Sequence, residues 1–333
     1  MYRQITQVLL KTGEYVEAGV VTGPDLEWAD KIESLLGHKG EVWRWGNEMV
    51  LRHDLGLDVL YYILHRDGIP FSNMMTIESG GVGLFGHVFT RPEERQKGAA
   101  SALMSLVMDD FHIRGGQALF LGTGYDTHPY HLYAKNGFVG VEPLSGLMAH
   151  YRESEEDFYA AFFNDDDLSI ETLGWQDWPL SVPLFCGDFG CAVRSHVMKR
   201  FGRSSTEGPL LSLLQDEGER AVSGDMPRSK TLRLGSGGVA GFATTGRHPL
   251  WPAATLVDLY CHPNWWGHAD DLLASLDLSS GNRYLAYADV DHKRKQDVLR
   301  AAGFNQVATY VDRVPLDIAQ TRYAGVTEWE RRD

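Results

Sequence analysis

The sequence predicts an α+β fold of two tandem domains, each a mixed, mainly antiparallel sheet flanked by helices. Three observations carry this. Between residues 58 and 90, three β-rich runs follow one another through short Gly-containing turns, the pattern of a meander. A helical pattern over 99–114 then leads to a short apolar run at 118–122, and a strand–helix–strand crossover of this kind pairs its strands in parallel. The second half repeats the order. Strand, Pro92, helix, strand, helix and Gly137-Phe138 in the first half answer to strand, Pro263, helix, strand, helix and Gly303-Phe304 in the second.

Residues 15–22 read as a strand. Residues 24–36 read as a helix, with Pro24 in its first turn and Gly37 at its stop. The run 58–65 is rich in Val, Leu, Tyr and Ile. Arg66-Asp67-Gly68 turns it back into 71–78, and Ser79-Gly80-Gly81 turns that into 82–90. Within 99–114, Leu103, Leu106, Val107 and Phe111 recur at near-helical spacing and define a buried face, and Gly115-Gly116 ends the helix. After 118–122, a short helix near 130–136 stops at Gly137, and strands near Val139 and over 147–151 complete a first domain, 1–152. An acidic stretch, 153–167, separates the halves, with Phe158, Ala161 and Phe162 at helical spacing inside it. In a second domain, 165–325, strands are read at 232–234, 239–244, 255–261 and 284–288. Helices follow Pro263 and cover 295–302, while 200–208 and 218–230 read as loops.

The chain has 333 residues, enough for two domains with real cores, and its 43% hydrophobic and 23% charged residues exclude a disordered chain. A net charge of −14 argues against a nucleic-acid partner. No apolar run approaches the length of a membrane span, and residues 1–11 contain no long apolar segment of a secretory signal. Cys186, Cys191 and Cys261 are an odd, sparse set without a CxxC pair, so neither a disulfide framework nor a zinc site is expected. The expectation is a cytoplasmic protein with reduced thiols, no metal and no membrane partner, as a monomer or homodimer.

The chemistry concentrates at the end of the 82–90 strand. In Thr90-Arg91-Pro92-Glu93-Glu94-Arg95-Gln96-Lys97-Gly98-Ala99-Ala100, small residues stand where the backbone turns tightly, just before a helix. The unpaired N–H groups and partial positive charge of a helix N-terminus suit an anion such as a pyrophosphate, and Arg91, Arg95 and Lys97 add cations. An ordinary solvated helix start accounts for that spacing equally well.

These residues, continued by Ser101-Ala102-Leu103-Met104, resemble the pyrophosphate loop Arg/Gln-x-x-Gly-x-Gly/Ala of the GNAT N-acetyltransferase superfamily. Leu132-Tyr133-Ala134-Lys135-Asn136-Gly137-Phe138 resembles that family's later Leu-Tyr-x-Lys-x-Gly-Phe motif, in the right order, and the resemblance covers about residues 15–152. It implies acetyl transfer from acetyl-CoA to a primary amine by direct attack in a ternary complex. It also implies roles. Backbone from Gln96, Lys97, Gly98, Ala99 and Ala100 into Ser101, with Arg95 beside it, would hold the pyrophosphate. Backbone at Phe89 and Thr90 would hold the pantetheine arm, and Tyr133 would protonate the departing thiolate. The acceptor is a small-molecule or peptide amine that the sequence does not specify further. The alternative is a non-catalytic acyl-CoA-binding sensor or scaffold, since the 82–90 strand has no carboxylate to act as base. His87, its titratable side chain, and Glu78, at the end of the preceding strand, are the base candidates. Trp43, Trp45 and Glu48 are weaker candidates for contacting the acceptor.

The second half resembles the family less. Cys261-His262-Pro263-Asn264-Trp265-Trp266-Gly267-His268-Ala269-Asp270-Asp271 stands at the loop position without the Arg, and its two aspartates repel a pyrophosphate. No tyrosine precedes Gly303-Phe304 at the matching place. This half is read as a degenerate copy. Gly81-x-Gly83-x-x-Gly86 matches a dinucleotide fingerprint but leads into a strand, so the helix-dipole mechanism fails, and His128-x-x-His131 lacks a third metal ligand.

Overall fold

The computed structural model describes residues 1–165, 167–278 and 283–332. The chain divides into two compact units. One comprises Met1–Gly140 with Ser145–Phe158, the other Val141–Leu144 with Tyr159–Asp333.

The first unit runs β1 (Tyr2–Leu9), β2 (Tyr15–Thr22), α1 (Leu26–Leu36), α2 (Glu41–Arg52), β3 (Asp58–Arg66), β4 (Ile69–Ser79), β5 (Val82–Thr90), α3 (Ala99–Ile113), β6 (Ala118–Gly122), α4 (His128–Ala134), β7 (Val139–Gly140), β8 (Leu147–Tyr151) and α5 (Glu155–Phe162). Its eight strands form one sheet in the order β1-β2-β3-β4-β5-β6-β8-β7. Every pairing is antiparallel except β5 with β6, as the crossover requires. Asp67 and Gly68 both take positive φ (47° and 75°), the geometry of a tight hairpin between β3 and β4. Residues two apart along a strand share a face. Tyr62, Leu64, Met74 and Phe85 accordingly pack with Leu103, Met104, Val107 and Phe111 of α3 in one core. Tyr61 faces the other way and donates to Asn47 Oδ1 of α2 at 2.6 Å, which puts α2 on the opposite face. Each large aliphatic side chain sealed in this way contributes about 1.5–3 kcal/mol.

One reading of this unit changes. Pro24 lies before the helix, not in its first turn. Asp25 is the N-cap, and its carboxylate accepts from the N–H groups of Glu27 and Trp28 at 3.0 and 3.1 Å. Strand β1 had no sequence signal, because its alternation is broken by a register shift between Gln4 and Thr6.

The second unit runs β9 (Leu168–Thr172), α6 (Asp177–Leu180), α7 (Val182–Cys186), β10 (Val193–Ser195), β11 (Arg200–Phe201), α8 (Glu207–Ser223), β12 (Ser229–Leu234), β13 (Val239–Arg247), β14 (Ala254–Cys261), α9 (Ala269–Ala274), β15 (Arg283–Asp289), α10 (Lys293–Ala301), β16 (Asn305–Pro315) and β17 (Tyr323–Arg332). Among the described residues its main sheet has the order β16-β17-β15-β14-β13-β12-β9, again with a single parallel pair, β14 and β15. The fold is thus α+β, with two tandem units that each carry a mixed sheet and flanking helices. Helix α8 corrects the loop readings over 207–208 and 218–223, and 224–228 are outside any helix or strand. Leu210, Leu211, Leu213 and Leu214 bury one face of α8, and Gly224, at φ 74°, ends it. The second unit also extends past residue 325, since β17 lies inside its sheet. No helix among the described residues is long and apolar enough to cross a membrane.

Candidate functional site

Strand β5 builds the site. It pairs with β6 only over Val82–Leu84. Beyond Leu84 the two strands part, and among the described residues β5 keeps only β4 as a neighbour. The divergence coincides with an irregularity. Met75 faces Gly86 and Asn73 faces Phe89, so β5 has one residue more than β4 between those pairs. This is a β-bulge at His87–Val88, with His87 at φ 50°. Asn73 holds it in shape, its Nδ2 donating to the His87 carbonyl at 2.9 Å. The result is a V-shaped opening in which β5 past Leu84 has no strand partner on its β6 side among the described residues.

The loop after β5 closes one end of the V. A 3-10 turn over Pro92–Glu94 leads to Gln96 at φ 63° and Gly98 at φ 87°, and α3 starts at Ala99. Only glycine takes the Gly98 conformation without strain. The N–H groups from Gln96 to Ser101 donate no hydrogen bond among the described residues. They converge with the positive end of α3, which makes an anion cradle. A groove of about 640 Å³ opens here, lined by Val88, Phe89, Thr90, Glu94, Arg95, Gln96, Gly98, Ala99, Ala100 and Ser101, with Lys11, His128 and Pro129. Lys11 had no signal in the sequence. It arrives from the β1–β2 turn, where its N–H donates to the Lys97 carbonyl at 3.0 Å.

The loop cations divide. Lys97 pairs with Glu94 at 3.2 Å, and Glu94 also holds Arg66 at 3.0 Å. Arg95 folds back so that its Nε donates to the Thr90 carbonyl at 3.1 Å. Thr90 shares a hydrogen bond with Ser72 at 2.8 Å, and the Phe89 ring packs on His38 with centroids 4.2 Å apart. Phe89, Thr90, Arg95, Gln96, Gly98, Ala99, Ala100 and Ser101 therefore share one groove, and the Lys97 side chain is turned to an ion pair.

Tyr133 lies on α4, capped by Thr127 and stopped by Gly137 at φ 85°. A side chain at Gly137 would also press on His150 Nδ1 at 3.0 Å. The Tyr133 ring is buried edge-on against Phe85 of β5, with centroids 5.6 Å apart. Its hydroxyl makes no hydrogen bond among the described residues, and burial pushes its pKa up to about 12. The groove reaches α4 at His128 and Pro129 but does not include Tyr133 in its lining.

The two base candidates part company. The His87 ring is buried beside Trp43 of α2, centroids 5.6 Å apart, and neither ring nitrogen has a partner. Burial first, then the charges of Lys39 and His38, hold its pKa down at about 3. Asn73 Oδ1, also buried, is likewise unpartnered. These are three buried polar atoms without partners at the bulge, with the Trp43 indole against the His87 ring, and none of the three residues lines the groove. Glu78 is not part of the bulge. It pairs across the hairpin with Gly83, at the far end of β5 from the loop. Its carboxylate accepts from Arg114 at 2.8 and 2.9 Å and from Thr76 at 2.6 Å. Those bonds occupy both oxygens, so Glu78 is fixed as a structural ion pair and drops out as a base. Among the weaker candidates, Trp43 packs on the His87 ring outside the groove lining, whereas Glu48 lines a separate cavity of about 140 Å³ with Arg44 and Asn47. His131 pairs with Asp126 at 3.0 Å, and no group of three metal-ligating side chains occurs among the described residues.

No family model matches the sequence, and no curated protein matches it. Solved structures similar to this chain include GNAT-family N-acetyltransferases, which cover 40% to 51% of it. An N-acetyltransferase from Staphylococcus aureus Mu50 is 15% identical, covering 50% of this chain and 99% of its own, with a TM-score of 0.38. A ribosomal-protein-alanine N-acetyltransferase from Brucella melitensis is 15% identical over 50% and 99%, with a TM-score of 0.37. The protein yncA of Salmonella typhimurium, solved with its cofactor acetyl-CoA, is 15% identical over 50% and 94%, with a TM-score of 0.37.

Proposed function

We propose that the first of the two tandem units is an N-acetyltransferase that takes the acetyl group of acetyl-CoA to a primary amine. One observation supports this most. The free N–H groups from Gln96 to Ser101 and the unpaired edge of β5 open onto the same groove. A pyrophosphate joined to an extended amide-bearing arm needs both, an anion cradle and a strand edge beside it. The residues fit that group. Gly98 keeps the cradle open, Lys11 and Arg95 flank it with positive charge while Glu94 is paired to Arg66 and Lys97, and β5 at Phe89 and Thr90 lines the groove, the Thr90 carbonyl held by Arg95.

Bound there, acetyl-CoA supplies an acetyl group activated as a thioester. Transfer forms a C–N bond, breaks the C–S bond and leaves a thiolate that needs a proton. Tyr133 holds that proton at its hydroxyl, and a pKa of about 12 keeps it protonated at neutral pH. His87 and Asn73 form the bulge where β5 leaves β6, and their buried polar atoms stay outside the groove. An imidazole held near 3 stores no proton at neutral pH, so the proton lost by the amine passes to water.

Calorimetric titration with acetyl-CoA tests the reading, wild type against Gly98→Asp. Micromolar binding, lost when a carboxylate enters the cradle, is the expected result, followed by thiol release in a screen of amines. A wild type that binds no acetyl-CoA refutes it, and binding without turnover on any amine leaves the sensor reading.

A further inference from the structure

The second unit repeats the first around its own parallel pair, β14 and β15, and its opening differs in four ways. Strand β14 pairs with β13 in unbroken register from Gly241↔Cys261 to Arg247↔Thr255, so it carries no bulge. The stretch after Pro263 is helical throughout, a 3-10 turn over Pro263–His268 running into α9. His268 sits at φ −107°, outside the left-handed region, and Asp270 and Asp271 occupy the first turn of α9. Counting back from Gly303 as Tyr133 counts from Gly137, the tyrosine position holds Leu299, which is fully buried.

The fourth difference is the most direct. Strands β14 and β15 pair only from Ala254↔Arg283 to Val257↔Ala286, and past that point the chain's own segment 192–197 spans them. The N–H groups of Ala192 and Val193 donate to Asp289 at the end of β15, the second at 2.9 Å. Those of His196 and Val197 donate to Asp258 of β14 at 2.9 and 2.6 Å, and Ser195 Oγ donates to the same carboxylate at 2.7 Å. Buried Lys295 on α10 donates its Nζ to the Val193 carbonyl at 3.2 Å. Asp258 and Asp289 are buried, and their oxygens are taken up by this segment. Charge-assisted bonds of this kind are about twice as strong as neutral ones.

We propose that residues 192–197 are a built-in plug. The second unit closes its opening with its own backbone, and the chain carries one acyl-CoA site, in the first unit. The single-site statement rests on the function proposed above, whereas the plug is a property of the second unit alone. Two measurements on the full-length protein separate them. Calorimetry with acetyl-CoA is expected to give one site per chain in the wild type and none in Gly98→Asp. Two sites, or binding that survives in Gly98→Asp, overturns the proposal and leaves an acyl-CoA reader in the second unit. Hydrogen exchange is expected to show Ala192, Val193, His196 and Val197 strongly protected, with no change at saturating acetyl-CoA. Asp258→Asn and Asp289→Asn each are expected to speed exchange in this segment ten-fold or more, with acetyl-CoA affinity unchanged. A segment that exchanges freely in the wild type, or loses protection when acetyl-CoA is added, overturns the plug. A wild type that binds no acetyl-CoA but keeps this segment protected refutes the proposed function and upholds the plug.

Discussion

Replacing His87 by asparagine removes a buried imidazole and keeps the left-handed backbone, which asparagine tolerates better than other non-glycine residues. The wild-type ring titrates near 6.5 in the unfolded chain and at about 3 in the folded one. Between those values the unfolded chain binds a proton that the folded chain refuses, so the stability present above 6.5 is lost as the pH falls. At pH 5 the gap to 6.5 is about 1.5 units, and at about 1.36 kcal/mol per unit the loss is about 2 kcal/mol. Urea unfolding of wild type and His87→Asn at pH 7 and pH 5 isolates this. The difference of differences cancels His262, which burial holds at about 4 in the second unit. Wild type is expected to lose about 2 kcal/mol more than the variant over that range. Equal losses, within about 0.5 kcal/mol, would refute the buried, unpartnered ring beside Trp43.

Tyr133→Phe is expected to lower thiol release about a hundred-fold while acetyl-CoA affinity measured by calorimetry stays nearly constant; an unchanged rate removes Tyr133 from proton delivery. Arg114→Met strips the partner from a carboxylate that is 1% exposed, and costs about 3 kcal/mol, the low end for such pairs, because the Arg114 side chain is itself 29% exposed. Thermal unfolding reads that loss. Glu78→Gln is expected to leave the pH–rate profile in place, whereas a lost acidic limb would restore Glu78 as a base.

Much of this architecture is legible because it depends on local pattern. Turn residues at Asp67-Gly68 and Gly80-Gly81, and the face of Leu103, Val107 and Phe111, specify the meander and α3 by themselves. The cradle is legible for the same reason, since Gly98 and the start of α3 are adjacent in sequence. What the sequence hid depends on partners far along the chain. The bulge at His87 is defined by its register against Asn73, and no single-strand pattern reports register. Lys11 reaches Lys97 only after β1 has joined the sheet. Glu78 looked like a free acid near the end of a strand, and Arg114, at the end of α3, is what fixes it. The His87 pKa likewise follows from α2 packing over the ring.

The place of β17 in the second sheet bears on biosynthesis. Strand β17 lies between β15 and β16, and its far end is Arg332. The first unit needs nothing after Phe158 to complete its own sheet, so it can fold while the rest of the chain is still being made. The second sheet cannot close until β17 has emerged, because β16 has nothing to pair with before then. Loss of residues 323–332 would remove an inner strand and expose two raw edges, which invites association between chains.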